Sequence, residues 1–73
     1  PATMSDAAVP YLSLVIPCYN EEENVPTLLQ RVEASLNQLG RPFEVLIIDD
    51  GSTDATPRLL EEGMRRLPWL WRL

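Results

Sequence analysis

Two short runs of consecutive apolar residues constrain the fold of this sequence more than any other feature. Residues 14–16 (LVI) and 45–48 (VLII) contain no polar side chain, although neighbouring side chains on a β-strand point to opposite faces of the sheet. Strands of this kind are typical of parallel sheets that are buried on both faces. We therefore predict an α/β fold with strands over residues 11–17 and 43–49, and a third strand beginning at residue 69.

Helical periodicity separates these strands. Apolar residues recur every three or four positions in 24–40 and again in 55–67, which predicts one buried face on each of two helices. Pro26 and Pro57 indicate where the helices begin, since proline is tolerated only in the first turn. The order β-α-β-α-(β) predicts a Rossmann-like unit of parallel strands joined by right-handed crossovers.

The ends of both predicted helices carry recognisable signals. Asn24 is predicted to cap the first helix, and Asp54 or Thr56 the second, because their side-chain oxygens can accept a hydrogen bond from a free backbone N–H group. Gly40 suits the left-handed residue that follows a helix, and Pro42 prevents the helix from continuing.

The two predicted helices cover only one face of the sheet, because both follow crossovers of the same hand. The apolar residues on the other face need a cover that these 73 residues do not supply. We therefore expect an N-terminal piece of a larger domain, or association of copies through the uncovered face. Residues 1–10 are predicted to form a flexible tail, and residues 11–73 an incomplete domain.

Composition excludes several classes of function. The net charge of −5 argues against a nucleic-acid partner, which requires a basic surface. The sequence has no histidine and a single cysteine, Cys18, so Ser-His or Cys-His catalysis and an internal disulfide are excluded. No apolar run approaches the length of about 18 residues that a transmembrane helix requires.

Polar clusters follow each of the first two predicted strands. Tyr19 comes after the first, and the acidic pair Asp49 and Asp50 ends the second. Ligands of open parallel sheets bind beyond the carboxyl ends of the strands, where these loops should lie side by side. A flat heterocycle could stack on the tyrosine, and an aspartate could accept hydrogen bonds from its ring N–H groups. The arrangement favours a nucleotide pocket.

A purely structural interpretation of the same residues remains open at this point. The sequence DGSTD is ordinary turn and helix-capping composition. Glu22 and Glu23 precede a helix and could simply complement its dipole. Tyr19 could pack over the edge of the sheet, and Cys18 is interpreted as a small, partly buried residue without a reactive role.

Taken together, the two clusters are more specific than either alone. The sequence LSLVIPCYNEEENV, followed by FEVLIIDDGSTDATPRLLEE, resembles the N-terminus of family 2 glycosyltransferases with the GT-A fold. It looks most similar to dolichyl-phosphate mannose synthase and polyprenyl-phosphate glycosyltransferases. The resemblance covers about residues 12–67.

The resemblance implies which residues line the nucleoside of a nucleoside diphosphate sugar. Asp50 would contact the base or ribose, while Ile48 would pack near the ring and Gly51 would shape the loop. The full set of implied nucleotide-binding residues is Pro17, Tyr19, Glu21, Ile48, Asp49, Asp50 and Ser52.

The resemblance also implies what this segment lacks. The D-x-D metal motif of the family lies downstream of residue 73, so no metal ligand and no catalytic residue is expected here. Mg²⁺ or Mn²⁺ would bind with the nucleotide sugar in the full-length protein. The acceptor would be a polyprenyl phosphate, reached from the cytoplasmic face of the membrane by an otherwise cytoplasmic protein. The segment alone is expected to be inactive.

Two other functions compete with the glycosyltransferase as interpretations of these motifs. A nicotinamide-binding Rossmann fold needs G-x-G-x-x-G after the first strand, whereas residues 17–24 (PCYNEEEN) contain no glycine. A receiver domain also carries an acidic pair at the end of a strand, but that pair belongs to the first strand of a receiver, and here a complete strand and helix precede it. A non-catalytic α/β piece that self-associates is the remaining alternative.

Overall fold

The computed structural model describes residues 10–73, and it confirms the predicted order of strands and helices. Most of the predicted tail, residues 1–9, lies outside the described residues. Three strands form one parallel sheet in the order β1-β2-β3. The elements are β1 (Leu12–Cys18), α1 (Val25–Asn37), β2 (Phe43–Asp49), α2 (Thr56–Arg66) and β3 (Leu70–Arg72).

The first strand was predicted to end at Pro17, but it continues for one more residue. Pro17 lies inside β1, and pairing continues to Cys18, whose carbonyl oxygen accepts a hydrogen bond from the N–H group of Asp50 at 2.9 Å. A proline is tolerated here because β1 is an edge strand of the described sheet, so one of its sides needs no backbone donor. The third strand is shorter than predicted, beginning at Leu70.

The helices begin close to their predicted positions but are capped differently. Asn24 occupies the N-cap position of α1, yet its side chain makes no capping bond and donates to the Glu21 carboxylate instead. Helix α1 ends three residues before Gly40, which has the predicted left-handed backbone with φ of 67°. In α2 the N-cap residue is Ala55, so the prediction of Thr56 as the cap was wrong.

The second helix nevertheless uses the other predicted capping residue. Asp54 accepts a hydrogen bond from the N–H group of Thr56 at 2.8 Å. The Thr56 hydroxyl is committed elsewhere, since it accepts the N–H group of Glu21 at 2.9 Å. It is fully buried, and this bond compensates for removing a polar group from water.

The core lies between the two helices and one face of the sheet. Phe43, Val45 and Ile47 alternate along β2 and are each at most 2% exposed. The Phe43 ring packs against Trp69, with ring centroids 5.4 Å apart. Leu29 of α1, together with the α2 residue Leu60, completes the cover of this face. Both helices therefore cover the same face of the sheet, as two crossovers of one hand require.

The opposite face of the sheet carries an exposed apolar row. Val15, Leu46 and Trp71 are aligned by the strand register. Val15 is 58% exposed and Trp71 is 43% exposed, whereas Leu46 is half-buried. The described residues therefore leave this row, called the uncovered face below, open to solvent as predicted from the consecutive apolar runs.

Gly63 allows the second helix to approach its neighbours closely. A Cβ atom at this position would lie 2.9 Å from a Leu29 methyl group and 3.0 Å from a Leu70 methyl group. Both distances are shorter than normal carbon–carbon contacts of about 3.5–4.0 Å. The glycine, which weakens the helical pattern of the sequence, is therefore a packing residue between α1, α2 and β3.

Candidate functional site

The loops after β1 and β2 start side by side at the carboxyl edge of the sheet. Cys18 is the register partner of Asp49, and the hydrogen bond from Asp50 to Cys18 extends the pairing by one step. Tyr19 and Asp50 therefore leave adjacent strands at the same edge. Neighbouring strands are about 4.8 Å apart, so the two side chains are close enough to contact one small ligand.

Tyr19 and Asp50 present exposed side chains at this edge. Tyr19 is 56% exposed, and Asp50 is also exposed. Neither side chain makes a hydrogen bond to any other residue in the described part of the chain. Pro17 and Ile48, which are register partners, lie next to them on the uncovered face. An aromatic face, an acceptor and two apolar side chains thus border one open surface.

Asp49 is placed very differently from Asp50. Its side chain is only 5% exposed, and Oδ1 accepts hydrogen bonds from the backbone N–H group of Ser52 at 3.2 Å and from the Ser52 hydroxyl at 2.5 Å. Both residues were predicted to bind a nucleotide. That role stays a prediction for both residues. In the structure they bond to each other within the loop, and the Asp49 side chain is turned towards the protein.

Arg72 is a residue of this region that the sequence pattern did not identify. Its Nη1 donates to Glu61 at 3.2 Å, and its Nε lies 3.9 Å from Asp49 Oδ2. That Nε atom is buried and has no hydrogen-bond partner among residues 10–73. Strand alternation places Arg72 on the same face as Leu70, which is the signal that could have predicted its position against α2.

Glu21 and Glu22 connect the first loop to the start of α2. The N–H group of Glu22 donates to Asp54 Oδ2 at 3.2 Å, while Glu22 Oε1 accepts the N–H group of Ala55 at 2.8 Å. The Glu21 carboxylate accepts a hydrogen bond from Asn24 at 2.8 Å and remains exposed. Glu22 therefore bonds at the start of α2, whereas the structural interpretation of the sequence had it complement the dipole of the helix that it precedes, α1.

Two groups of this edge have shifted acidities. Burial raises the pKa of the Cys18 thiol, and the nearby carboxylates of Asp49, Glu21 and Asp54 raise it further. The thiol is therefore protonated at neutral pH, consistent with its predicted lack of reactivity. Desolvation pushes the pKa of Asp54 upwards, but hydrogen bonds from Thr56 and from backbone N–H groups outweigh it and hold that pKa below its usual value.

Comparison with known protein families identifies the family to which this chain belongs. The family described as "Glycosyl transferase family 2" matches residues 13–72, which include both loops and every strand and helix described above except for the first residue of β1. The chain belongs to glycosyl transferase family 2. The parallel α/β unit is consistent with the N-terminal part of the GT-A fold that the motifs had implied.

Several relatives of this family 2 chain carry the same name. It is 53% identical over 52 residues to an undecaprenyl-phosphate 4-deoxy-4-formamido-L-arabinose transferase of Pseudomonas fluorescens, covering 71% of this chain and 15% of the relative. The transferase of the same name from Pectobacterium carotovorum is 49% identical over 71% of this chain and 16% of its own length. A third, from Pseudomonas paraeruginosa, is 44% identical over 86% of this chain and 19% of its own length.

The family 2 chain spans less than one fifth of the length of these relatives. Within residues 10–73, no group of three or more His, Cys, Asp or Glu side chains is arranged to hold a metal ion. Asp49 and Asp50 are adjacent and diverge, so they do not form the D-x-D motif of the family. None of the helices described here has both the length and the apolar character needed to cross a bilayer.

Proposed function

We propose that this chain is the nucleotide-binding N-terminal part of a glycosyltransferase that transfers a hexose or related sugar from a nucleoside diphosphate sugar to polyprenyl phosphate. The observation that carries the proposal is the common position of Tyr19 and Asp50. Both leave the carboxyl edge of adjacent parallel strands, with exposed side chains and no competing partner among the described residues. Family membership supplies the reaction class.

The open surface suits a nucleobase. The Tyr19 ring provides a stacking platform, which contributes about 1–3 kcal/mol for each base. Asp50 accepts hydrogen bonds from the N–H groups of the base or the hydroxyls of the ribose, and Pro17 and Ile48 exclude water from the edge of the ring. Glu21 is a further exposed carboxylate in the loop after β1. Asp49 and Ser52 hold the loop in shape from behind.

The acceptor is proposed from the names of the relatives, all of which act on undecaprenyl phosphate. In the proposed reaction a phosphate oxygen of the lipid attacks the anomeric carbon of the sugar, and the bond from that carbon to the nucleoside diphosphate breaks. With such an acceptor, the full-length protein is proposed to act at the cytoplasmic face of the membrane.

A divalent cation, Mg²⁺ or Mn²⁺, would supply neutralisation of the leaving diphosphate. The described residues do not offer a cluster that fits such an ion. We therefore assign no metal ligand to this segment, and its proposed role is confined to the nucleoside. The 73-residue chain alone is proposed to be inactive because it contains at most half of the donor site.

Sugar transfer by a full-length protein carrying this segment tests the proposal. Incubated with a radiolabelled nucleoside diphosphate sugar, undecaprenyl phosphate and Mn²⁺, it is expected to produce labelled lipid that partitions into organic solvent. The 73-residue chain, assayed in parallel, is expected to produce none. Labelled lipid from the short chain would contradict its proposed inactivity. Failure of the full-length protein with both uridine and guanosine diphosphate sugars would contradict the function.

Self-association is the second candidate for the isolated chain, and the uncovered face favours it. Val15 and Trp71 are more than 40% exposed at the two ends of the apolar row, whereas soluble monomers rarely expose contiguous apolar patches beyond a few hundred Å². A second copy could cover this row without any change in the strands.

Substitution of Val15 by glutamate tests this association. At micromolar concentration the 73-residue chain is expected to sediment as a dimer or larger species, and Val15→Glu is expected to sediment as a monomer because it places a charge in the row. Met64→Glu is the control, since Met64 is a partly exposed residue of α2 on the other side of the sheet. A monomeric parent chain, or equal effects of the two substitutions, would rule the association out.

A further inference from the structure

Asn20 has an unusual backbone conformation for a residue other than glycine. Its φ is +50°, the only positive φ among the non-glycine residues of 10–73. Asparagine enters this left-handed region more readily than most residues. The conformation turns the chain immediately after Tyr19, at the start of the loop that follows β1.

Asn20 also connects the two loops of the nucleotide edge. Its Oδ1 accepts hydrogen bonds from the N–H groups of Thr53 at 2.8 Å and Asp54 at 3.3 Å. Its own N–H group donates to the Ser52 hydroxyl at 2.8 Å, and that hydroxyl donates to Asp49. Three contacts thus join a single residue of the first loop to residues 52–54 of the second.

These contacts determine how the ligand-facing side chains are placed. Tyr19 and Asp50 make no side-chain hydrogen bond to another described residue, so the backbone that flanks them sets their separation. Asn20 follows Tyr19 directly, and Ser52 lies two residues after Asp50. The bridge from Asn20 therefore closes the loop pair immediately beside the open surface, on the side nearer α2.

We propose that Asn20 is a positioning residue for the nucleotide: it holds the Tyr19 ring and the Asp50 carboxylate at the spacing that a nucleobase requires, without touching the nucleotide itself. This inference rests on the proposed function, since it assumes a nucleotide at this edge. It requires both properties of asparagine, namely tolerance of positive φ and a side-chain oxygen that accepts hydrogen bonds.

The two properties can be separated by substitution. Asn20→Gly keeps the backbone conformation available but removes the acceptor, whereas Asn20→Asp keeps an acceptor oxygen in place. Asn37→Ala is the matched control, because Asn37 is an exposed asparagine at the C-terminal end of α1 whose side chain makes no hydrogen bond among the described residues. The experiment measures the dissociation constants of uridine diphosphate and guanosine diphosphate by calorimetry on the full-length protein, at fixed Mn²⁺ and ionic strength.

We expect Asn20→Gly to raise the dissociation constant of the bound nucleotide about tenfold, as loss of the loop bridge would imply. Asn20→Asp should recover most of this loss, and Asn37→Ala should change affinity less than about twofold, a difference smaller than one ordinary hydrogen bond. Melting temperatures measured on the same samples separate positioning from folding. If the role of Asn20 were purely structural, Asn20→Gly would lower the melting temperature, but the folded glycine and aspartate variants would bind the nucleotide equally well.

Each failure has its own signature. If the unsubstituted protein binds neither nucleotide, the proposed function is wrong and this inference falls with it. If it binds one of them and Asn20→Gly binds equally well, the inference alone is wrong. If Asn20→Gly does not fold, Asn20→Ser replaces it, because the shorter serine side chain cannot reach the N–H groups of both Thr53 and Asp54. Unchanged affinity in Asn20→Ser overturns the inference. A loss of affinity in Asn20→Ser that is absent from Asn20→Asp supports it.

Discussion

Replacement of Trp69 by alanine is expected to unfold the 73-residue chain. Trp69 is 1% exposed and packs on Phe43 at the centre of the core. Truncation of a buried tryptophan costs about 3–5 kcal/mol, and the core of a domain below about 70–80 residues rarely supplies more than about 3–5 kcal/mol in total. The variant should show little cooperative thermal transition by far-ultraviolet circular dichroism, whereas the parent chain should melt cooperatively.

Trp71 provides a control two residues away. It lies in β3, which begins directly after Trp69, and it points to the uncovered face, where it is 43% exposed. Trp71→Ala should change the free energy of unfolding by less than about 1 kcal/mol, as exposed substitutions generally do. In the Trp71→Ala variant, the remaining tryptophan, Trp69, should fluoresce at the short wavelengths of a buried indole. Equal destabilisation by the two alanine substitutions would show that the helices do not cover the face of the sheet described above.

Replacement of Tyr19 by alanine is expected to cause the largest loss of nucleotide affinity. Loss of a stacked base costs about 1–3 kcal/mol, so the dissociation constant should rise about 10- to 100-fold in a full-length protein that carries this segment. Tyr19→Phe retains the aromatic face and should stay within about twofold of the parent, because stacking does not use the hydroxyl. Fluorescence or calorimetric titration with uridine and guanosine diphosphates measures the effect.

The sequence contains its own control for this substitution. Tyr11 is 62% exposed and lies just before β1, at the end of the sheet opposite Tyr19, with the Arg41 guanidinium 4.6 Å from its ring centroid. Tyr11→Ala removes an aromatic side chain of the same size and should leave the dissociation constant unchanged. The stacking role of Tyr19 is refuted by equal affinities of the two alanine variants. A loss in Tyr19→Phe as large as that in Tyr19→Ala would assign the contact to the hydroxyl instead.

The strands and their pairing could be predicted because both follow from local patterns. Consecutive apolar residues at 45–48 require burial on two faces, and the helical period between the strands requires a parallel crossover. The shared edge of Tyr19 and Asp50 follows from that topology alone, and so does the exposed row of Val15 and Trp71. These features are set by alternation and connection, which a sequence displays directly.

The contacts between the two loops could not be predicted from the sequence, because they depend on the exact register of two segments more than 30 residues apart. Asn20 and Thr56 have the composition of capping residues, and only their placement shows that they join one loop to the other. The same holds for Asp49, which the motif groups with Asp50 but the geometry turns inwards. Gly63 resembles a weak point of a helix until its neighbours Leu29 and Leu70 are known.

A structure of the full-length protein with bound uridine or guanosine diphosphate would test the central claim most directly. We expect the base to lie against the Tyr19 ring, with a base N–H group or ribose hydroxyl donating to the Asp50 carboxylate. A nucleotide bound elsewhere, for example in the groove between α1 and α2 beside Leu29 and Arg66, with Tyr19 and Asp50 both left in solvent, would contradict it.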